Sequence, residues 1–210
     1  MKIVFFGDSI TDAGHNPTHY MPNFRYGYGY VFLLKAMLEK KFPCEHQVLN
    51  VGVSGNRIVD LYARVKRDVW NEEPDVISIF IGVNDVWHGL QNNNGVDPKR
   101  FEKCYRNLLE ETFEYTPNAK IILVEPFVLK GDATEAKLEG FLEVKKYAEI
   151  VKKLAKEYNL PVVELQAEFD RLAEIYGPKP LAWDGVHPDV LGATVIADRW
   201  FEVFEKEFVK

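Results

Sequence analysis

The sequence has few cysteines, no long apolar run and no long run of charge of one sign. Two cysteines among 210 residues, Cys44 and Cys104, cannot build a disulfide framework, and we expect both to be reduced thiols. No stretch approaches the ~20 consecutive apolar residues that a membrane span needs. The net charge of -6 is not gathered into blocks, which argues against nucleic acid or an anionic membrane as the main partner.

Internal repeats, low-complexity segments and linkers are also lacking, and we predict one domain over residues 1–210. The apolar start Met1–Phe6 is too short for a signal peptide and has no small-residue cleavage site, which predicts a cytoplasmic protein. The composition is 47% hydrophobic and 28% charged, which suffices for a sizeable core. The sequence leaves the oligomeric state open, with a homo-oligomer as one alternative.

What the sequence does contain is a regular alternation of strand-like and helix-like segments. Short apolar runs predict five strands, most of them buried on both faces: Lys2–Phe6, Gln47–Val51, Val76–Ile81, Ile121–Glu125 and Pro161–Leu165. Helices are predicted between and after them, three from apolar stripes at three- and four-residue steps (residues 101–115, 138–158 and 193–208) and three more over Tyr28–Lys41, Ile58–Asp68 and Gln166–Ile175. The alternation predicts an α/β fold of three α/β/α layers, a flavodoxin-like doubly wound sheet of five parallel strands in the order 2-1-3-4-5.

Short polar turns follow the first three predicted strands. They are Gly7-Asp8-Ser9-Ile10-Thr11, Gly52-Val53-Ser54-Gly55-Asn56 and Gly82-Val83-Asn84-Asp85. A fourth polar segment, Trp183-Asp184-Gly185-Val186-His187-Pro188, precedes the last helix. Because ligands of such sheets bind outside the carboxyl ends of the strands, these segments are expected to converge on one site.

The side chains of these segments are suited to acyl transfer. Asp184 and His187 are three residues apart, a spacing that brings Cβ atoms to about 5–6 Å on a helical turn. Asp184 can then accept a hydrogen bond from one imidazole nitrogen, while the other nitrogen takes the proton of Ser9. The backbone N–H groups of Ser9 and Gly55 and the side-chain amide of Asn84 are candidate donors to an oxyanion.

These four segments resemble the signature blocks of the SGNH/GDSL hydrolase superfamily. They occur in the order of that superfamily and span nearly the whole chain. The resemblance implies a serine esterase with Ser9 as nucleophile, His187 as base and Asp184 as the acid that orients it. It also implies that Ser9, Gly55 and Asn84 form the oxyanion hole, and that no cofactor takes part.

A finer resemblance concerns the branch that removes acetyl groups from xylan-type oligosaccharides. The segments Gly82-Val83-Asn84-Asp85-Val86-Trp87 and Pro180-Leu181-Ala182-Trp183-Asp184 carry this likeness. It implies a small-molecule ester substrate such as an acetylated xylo-oligosaccharide. Trp87 and Trp183 are then candidates for binding a sugar or bounding a small acyl pocket, because aromatic faces suit such packing.

Two alternatives stay open at this point. A thioesterase or lysophospholipase would use the same triad and would differ in its acyl pocket. A flavodoxin-like module that binds flavin or phosphate belongs to a different class of protein. Such a module needs a loop rich in Gly, Ser and Thr after its first strand, whereas Asp8 and Asp12 place two acids there.

Several other polar residues have simpler interpretations. Asp8 and Asp12 are expected to serve caps or turns, and the lack of metal-ligand spacing predicts no required metal. Ser54 lacks the second glycine of a nucleophile elbow, and Cys104 lies on an apolar helical stripe. The segment His15–Gly29 is either a surface loop or a wall of the pocket. The remaining histidines are expected to be surface or core residues: His15, His19, His46 and His88.

Overall fold

A five-stranded parallel sheet forms the centre of the computed structural model, which describes residues 1–208. Its strands lie in the order β2-β1-β3-β4-β5, with the bounds β1 Lys2–Gly7, β2 Gln47–Asn50, β3 Val76–Phe80, β4 Lys120–Val124 and β5 Val162–Val163. Each neighbouring pair is parallel. The predicted α/β class and the flavodoxin-like strand order are therefore confirmed.

Helices of very different length connect and flank the strands. Their bounds are α1 Ser9–Asp12, α2 Tyr30–Lys41, α3 Ile58–Asp68, α4 Val83–Asn92, α5 Pro98–Tyr115, α6 Leu138–Phe141, α7 Val144–Glu157, α8 Gln166–Tyr176 and α9 Val190–Phe208. Short 3₁₀ turns occur at Pro22–Tyr26, Trp70–Glu72 and Glu135–Lys137. Asp97 caps α5, its side chain accepting a hydrogen bond from the N–H of Arg100.

Two of these helices were predicted as turns. Helix α1 has only four residues, too short to leave a periodic pattern. Helix α4 contains Asn84, Asp85 and Gly89, residues of modest or low helix propensity. Its first turn is buried, and tertiary packing therefore stabilises a helix that the local sequence does not predict.

The apolar stripe over residues 138–158 is two helices rather than one. Helix α6 ends at Phe141, and α7 begins at Val144. Next to the break, Phe141 is buried while Leu142, which lies within the predicted stripe, is 41% exposed. Strand β5 is also shorter than predicted, because the N–H of Leu165 donates to the buried Glu125 carboxylate at 2.6 Å instead of extending the sheet.

Consecutive residues of β1 show the two faces of the sheet, since side chains alternate along a strand. The ring of Phe5 lies 5.0 Å from that of Trp200 on α9, and α9 packs against α2. Phe6 lies beneath the guanidinium of Arg64 on α3, at 4.5 Å from the ring centroid. Helix α5 packs against both α3 and α7, so that each face of the sheet has its own helical layer. Within residues 1–208, no helix combines the length and the apolar character needed to traverse a bilayer.

Polar side chains that are buried or largely buried join the carboxyl ends of β1 and β2. The side-chain amide of Asn50 donates to the carbonyl of Thr11 at 2.7 Å. Arg64 donates to the carbonyls of Gly7 at 3.0 Å and of Val51 at 2.7 Å. Because unpaired buried polar groups cost free energy, these bonds hold the two strand ends in one arrangement. The candidate site is built on this edge of the sheet.

Candidate active site

Ser9 is the first residue of α1, directly after β1. Asp8 caps this helix, because its Oδ1 accepts a hydrogen bond from the N–H of Ile10 at 3.0 Å. The left-handed conformation of Ala13 ends the helix four residues later. The Ser9 side chain is thereby held at the start of a short, capped helix at the carboxyl edge of the sheet.

Asp184 and His187 form a closed turn beside Ser9. Asp184 is buried, and its Oδ1 accepts hydrogen bonds from the N–H groups of Val186 at 2.9 Å and His187 at 2.7 Å. Its Oδ2 lies 2.6 Å from Nδ1 of His187, and Nε2 of His187 lies 2.9 Å from Oγ of Ser9. Since a carboxylate can only accept, Nδ1 carries a proton and Nε2 is left to accept from the hydroxyl.

A second segment, residues 129–134, packs against this turn and is joined to it by backbone hydrogen bonds. The N–H of Leu129 donates to the carbonyl of Gly185 at 2.8 Å, and that of Ala133 donates to the carbonyl of Asp184 at 3.0 Å. Gly131 approaches so closely that a Cβ there would lie 2.1 Å from the Gly185 nitrogen. No motif or spacing in the sequence links residues 129–134 to the Asp184 turn, so this support could not be predicted.

The three candidate oxyanion donors lie on three different elements. Ser9 begins α1, Gly55 follows β2, and Asn84 is in the first turn of α4. One hydrogen of the Asn84 amide goes to the carbonyl of Asn56 at 3.1 Å, which leaves the other free to donate. Within residues 1–208, the N–H groups of Ser9 and Gly55 have no acceptor. The positive φ of Gly55, 83°, is a backbone conformation that favours glycine.

The electrostatics of the site favour a basic imidazole. The hydrogen bond that Nδ1 of His187 donates to Asp184 raises the pKa of His187 above its ordinary value, against burial, which lowers it. Burial would raise the pKa of Asp184, but hydrogen bonds from His187 and from two backbone N–H groups hold it below its usual range. Burial also raises the pKa of Asp8, the cap of α1, to about 7. Asp8 is near enough to His187 to favour the charged imidazole further.

These shifts predict the pH dependence of the reaction. His187 must be neutral to accept a proton, so kcat/KM is expected to fall as pH decreases through the raised pKa of this imidazole. The midpoint of the acid limb should therefore lie above 6.5, the ordinary value for histidine. Initial rates on an aryl acetate, with the thermal midpoint of unfolding measured at each pH, would check this. A flat profile, or a midpoint well below 6.5 with the protein still folded, would contradict it.

The two tryptophans singled out in the sequence have different surroundings near His187. Trp183 is 51% exposed and lines a cavity of about 320 Å³ together with Ser9 and His187. Trp87 is partly buried, and its ring lies 5.9 Å from that of His187 and 5.5 Å from that of Phe141. Trp183 therefore borders the cavity beside the nucleophile, whereas Trp87 packs against the imidazole and Phe141 and is not among the residues that line this cavity.

Several other residues line the site or lie close to it. Tyr28 and Gly29, at the end of the undecided segment His15–Gly29, line the same cavity as Ser9. Ser54 also lines this cavity and donates a hydrogen bond to Asp12. His88 was interpreted as a surface or core residue, yet a Cβ at Gly55 would lie 4.0 Å from its imidazole. Its position four residues after Asn84 on one helix face is the signal that could have found it.

The fold and the site together define a class. A serine hydroxyl, an imidazole and a carboxylate in hydrogen-bonded series, at the carboxyl edge of a doubly wound sheet, are the arrangement found in serine hydrolases. The sequence model of the GDSL-like Lipase/Acylhydrolase family matches residues 5–195, and the chain belongs to this family. The resemblance to the SGNH/GDSL superfamily is thus confirmed.

Proteins similar to this chain include several ester hydrolases. The acetylxylan esterase of Geobacillus stearothermophilus is 35% identical over 216 aligned positions, which cover 100% of this chain and 96% of that protein. A crystal structure of that esterase, Axe2, superposes with a TM-score of 0.85 over 100% of this chain and 96% of the other, at 33% identity. LAE5, an alpha/beta hydrolase from the metagenome of Lake Arreo in Spain, has 34% identity and a TM-score of 0.85 over 96% and 94% of the two chains. Thioesterase 1/protease 1/lysophospholipase L1 of Escherichia coli is 26% identical over 78% of this chain and 69% of that protein.

The family and these relatives make the chain a carboxylic ester hydrolase. This confirms the predicted enzyme class and disfavours the flavin- or phosphate-binding module that the sequence alone left open.

Proposed function

We propose that the enzyme removes short acyl groups, above all acetyl groups, from carbohydrates such as xylo-oligosaccharides, with Ser9, His187 and Asp184 as its triad. The observation that carries the triad is the continuous hydrogen-bonded series from Ser9 Oγ through His187 to Asp184 Oδ2, with distances of 2.9 Å and 2.6 Å. In this series Nε2 of His187 can accept the proton of Ser9, and the ionised Asp184 can stabilise the imidazolium that results.

In the first half of the reaction, Ser9 Oγ attacks the carbonyl carbon while Nε2 of His187 takes the hydroxyl proton. The bond between the carbonyl carbon and the alcohol oxygen then breaks, and the alcohol leaves with the proton from His187. Asp184 stabilises the imidazolium that forms between these events. The acyl group remains on Ser9 as an ester.

In the second half, a water molecule attacks the acyl-enzyme and gives its proton to His187. The carboxylic acid leaves, and the proton returns to Ser9. In both halves the carbonyl oxygen becomes an oxyanion, for which the N–H groups of Ser9 and Gly55 and the amide of Asn84 are the proposed donors. Losing one such donor typically costs about 3–4 kcal/mol of transition-state stabilisation.

The preference for carbohydrate rests on the walls of the cavity and on the relatives. Trp183 and Tyr28, 51% and 82% exposed, present aromatic rings beside Ser9 and His187. Such rings combine an apolar face with a polar atom at the rim, which suits a sugar ring that carries hydroxyl groups. A full-length relative is an acetylxylan esterase, which supports acetylated xylo-oligosaccharides as the substrate.

A comparison of substrates tests this proposal. We expect a higher kcat/KM on acetylated xylo-oligosaccharides than on aryl acetates, and a fall in activity from acetyl to longer acyl chains. Trp183→Ala should lower kcat/KM for the sugar ester by about tenfold and change the aryl acetate much less, because only the sugar loses its aromatic partner. Tyr176→Ala, which removes a ring that is 60% exposed on α8, is the matched control. Equal activity on both substrates, with no selective effect of Trp183→Ala, would contradict the carbohydrate preference.

One observation favours the alternative of a thioesterase or lysophospholipase. An apolar groove of about 450 Å³, lined by residues such as Phe24, Phe32 and Val190, shares Tyr28 and Ala193 with the cavity beside Ser9. An acyl chain entering this groove would bury apolar surface. A kcat/KM that rises with acyl length in the same experiment would support this alternative and would contradict the preference for acetyl groups.

A further inference from the structure

Gly55 lies between two residues that are tied to the other proposed oxyanion donors. On one side, the carbonyl of Asn56 accepts a hydrogen bond from the side chain of Asn84 at 3.1 Å. On the other side, Ser54 makes two hydrogen bonds to Asp12, which belongs to the same helix as Ser9. The Ser54 hydroxyl lies 2.6 Å from Oδ2 of Asp12, and the Ser54 N–H lies 3.2 Å from it.

Asp12 is itself held in place from several directions. Its Oδ1 lies 2.8 Å from Nδ1 of His15, which donates because a carboxylate can only accept. Its backbone carbonyl accepts a hydrogen bond from the side chain of Asn50 at 3.3 Å. Gly52 packs directly on it, since a Cβ at Gly52 would lie 2.3 Å from the Asp12 nitrogen. Because these contacts hold Asp12 in place, its hydrogen bonds can in turn position the segment that contains Ser54.

The carboxylate of Asp12 is ionised, which strengthens its hydrogen bonds with Ser54 and His15. Burial alone would raise its pKa, but the hydrogen bonds from Ser54 and His15 hold it below its usual range, and the group stays ionised. Hydrogen bonds to an ionised acceptor are shorter and roughly twice as strong as those between neutral groups. An ionised Asp12 therefore restrains Ser54 more firmly than a neutral acceptor would.

We propose that Asp12 is a positioning residue for the oxyanion hole: through Ser54 it fixes the Gly55 N–H relative to the N–H of Ser9. This inference rests on the proposed function, because it takes Ser9 as the nucleophile. The two amides belong to segments that follow different strands, and they must point at one oxygen. An oxyanion hole acts by being organised before the charge develops, so that a donor displaced by a fraction of an ångström loses much of its effect.

Replacement of Asp12 tests the inference. Asp12→Ala removes both bonds to Ser54, and we expect kcat to fall by roughly 10- to 100-fold with KM within about twofold. Asp12→Asn keeps a neutral oxygen acceptor for Ser54, with its NH₂ group toward Nδ1 of His15, and should recover part of that loss. Asp170→Ala, an exposed carboxylate on α8, is the control for removing an acidic side chain.

A boronic acid inhibitor distinguishes positioning from a general structural role. Boronates form a tetrahedral adduct on a serine nucleophile, with an oxygen in the oxyanion hole. The inhibition constant of the Asp12→Ala variant should rise by the same factor as kcat/KM falls, because both report the transition-state geometry. If Asp12→Ala does not fold, Ser54→Ala removes the shorter bond alone and should shift both quantities together by about three- to tenfold.

Three results would overturn the inference: a raised KM with unchanged kcat, an unchanged boronate affinity despite lost activity, or an Asp12→Asn variant as impaired as Asp12→Ala. Boronate binding to Ser9→Ala separates this failure from failure of the proposed function. If Ser9→Ala binds the boronate as tightly as the natural sequence, Ser9 is not the nucleophile and the inference falls with the proposed function. If binding is lost, the proposed function stands and the results for Asp12 are judged by themselves.

Discussion

Ser9→Ala is expected to lower kcat by at least about 10⁴-fold on any ester that the enzyme hydrolyses. The change removes the only atom of this side chain that can form the acyl-enzyme, while His187 and the oxyanion donors remain. Because Ser9 Oγ makes one side-chain hydrogen bond, to His187 at 2.9 Å, the loss of stability should be small. Initial rates with an aryl acetate, beside thermal unfolding of both proteins, measure the two effects.

A serine-directed fluorophosphonate provides the second measurement. The reagent should label the unaltered protein once, at Ser9, and should not label Ser9→Ala. Thr194→Ala, which removes an exposed hydroxyl that donates to the carbonyl of Val190 in its own helix, is the control variant and should keep full labelling and activity. Full esterase activity in folded Ser9→Ala, or an adduct that maps to another residue, would reject the proposed mechanism.

The strand order could be predicted from the sequence because each strand leaves a strong local signal. The run Val76–Ile81 is almost entirely apolar, as expected for a strand covered on both faces, and polar turns follow the first three runs. Helix α4 leaves no such signal, since burial of its first turn overrides the modest propensity of Asn84 and Asp85. The break after Phe141 was missed for a related reason, because an apolar stripe records which residues are apolar and not where the helix axis bends.

In the candidate site, too, the sequence predicts some residues and not others: it predicts the triad but not the residues that hold the triad in place. Ser9, Asp184 and His187 could be selected because their chemistry is rare in combination and the topology of a parallel sheet brings strand ends together. The structure places their atoms within hydrogen-bond distance. The residues that hold them could not be selected. Gly131 supports the Asp184 turn through backbone contacts, for which sequence carries no side-chain signal.

Because of the hydrogen bonds that Asp184 accepts, Asp184→Asn tests its role in catalysis more specifically than Asp184→Ala. Oδ1 accepts hydrogen bonds from the N–H groups of Val186 and His187, so an asparagine must keep its oxygen on that side. Its NH₂ group then faces Nδ1 of His187, which has to become the acceptor. The ring proton moves to Nε2, where it points at Ser9 and cannot take the hydroxyl proton. We expect kcat to fall by about 10⁴-fold, the size of effect that a wrong tautomer has in serine proteases.

The fold should survive this change, because an asparagine keeps the size of the side chain and both backbone hydrogen bonds. Asp189→Asn, an exposed position in the same loop, is the matched control and should keep its activity, since asparagine can still accept from the N–H of Val190. Initial rates and the boronate inhibition constant of both variants make the comparison. A folded Asp184→Asn variant with activity within about tenfold of the unaltered protein would show that Asp184 does not set the tautomer of His187. Asp184 would then not be the acid of the triad, and that part of the assignment would be wrong.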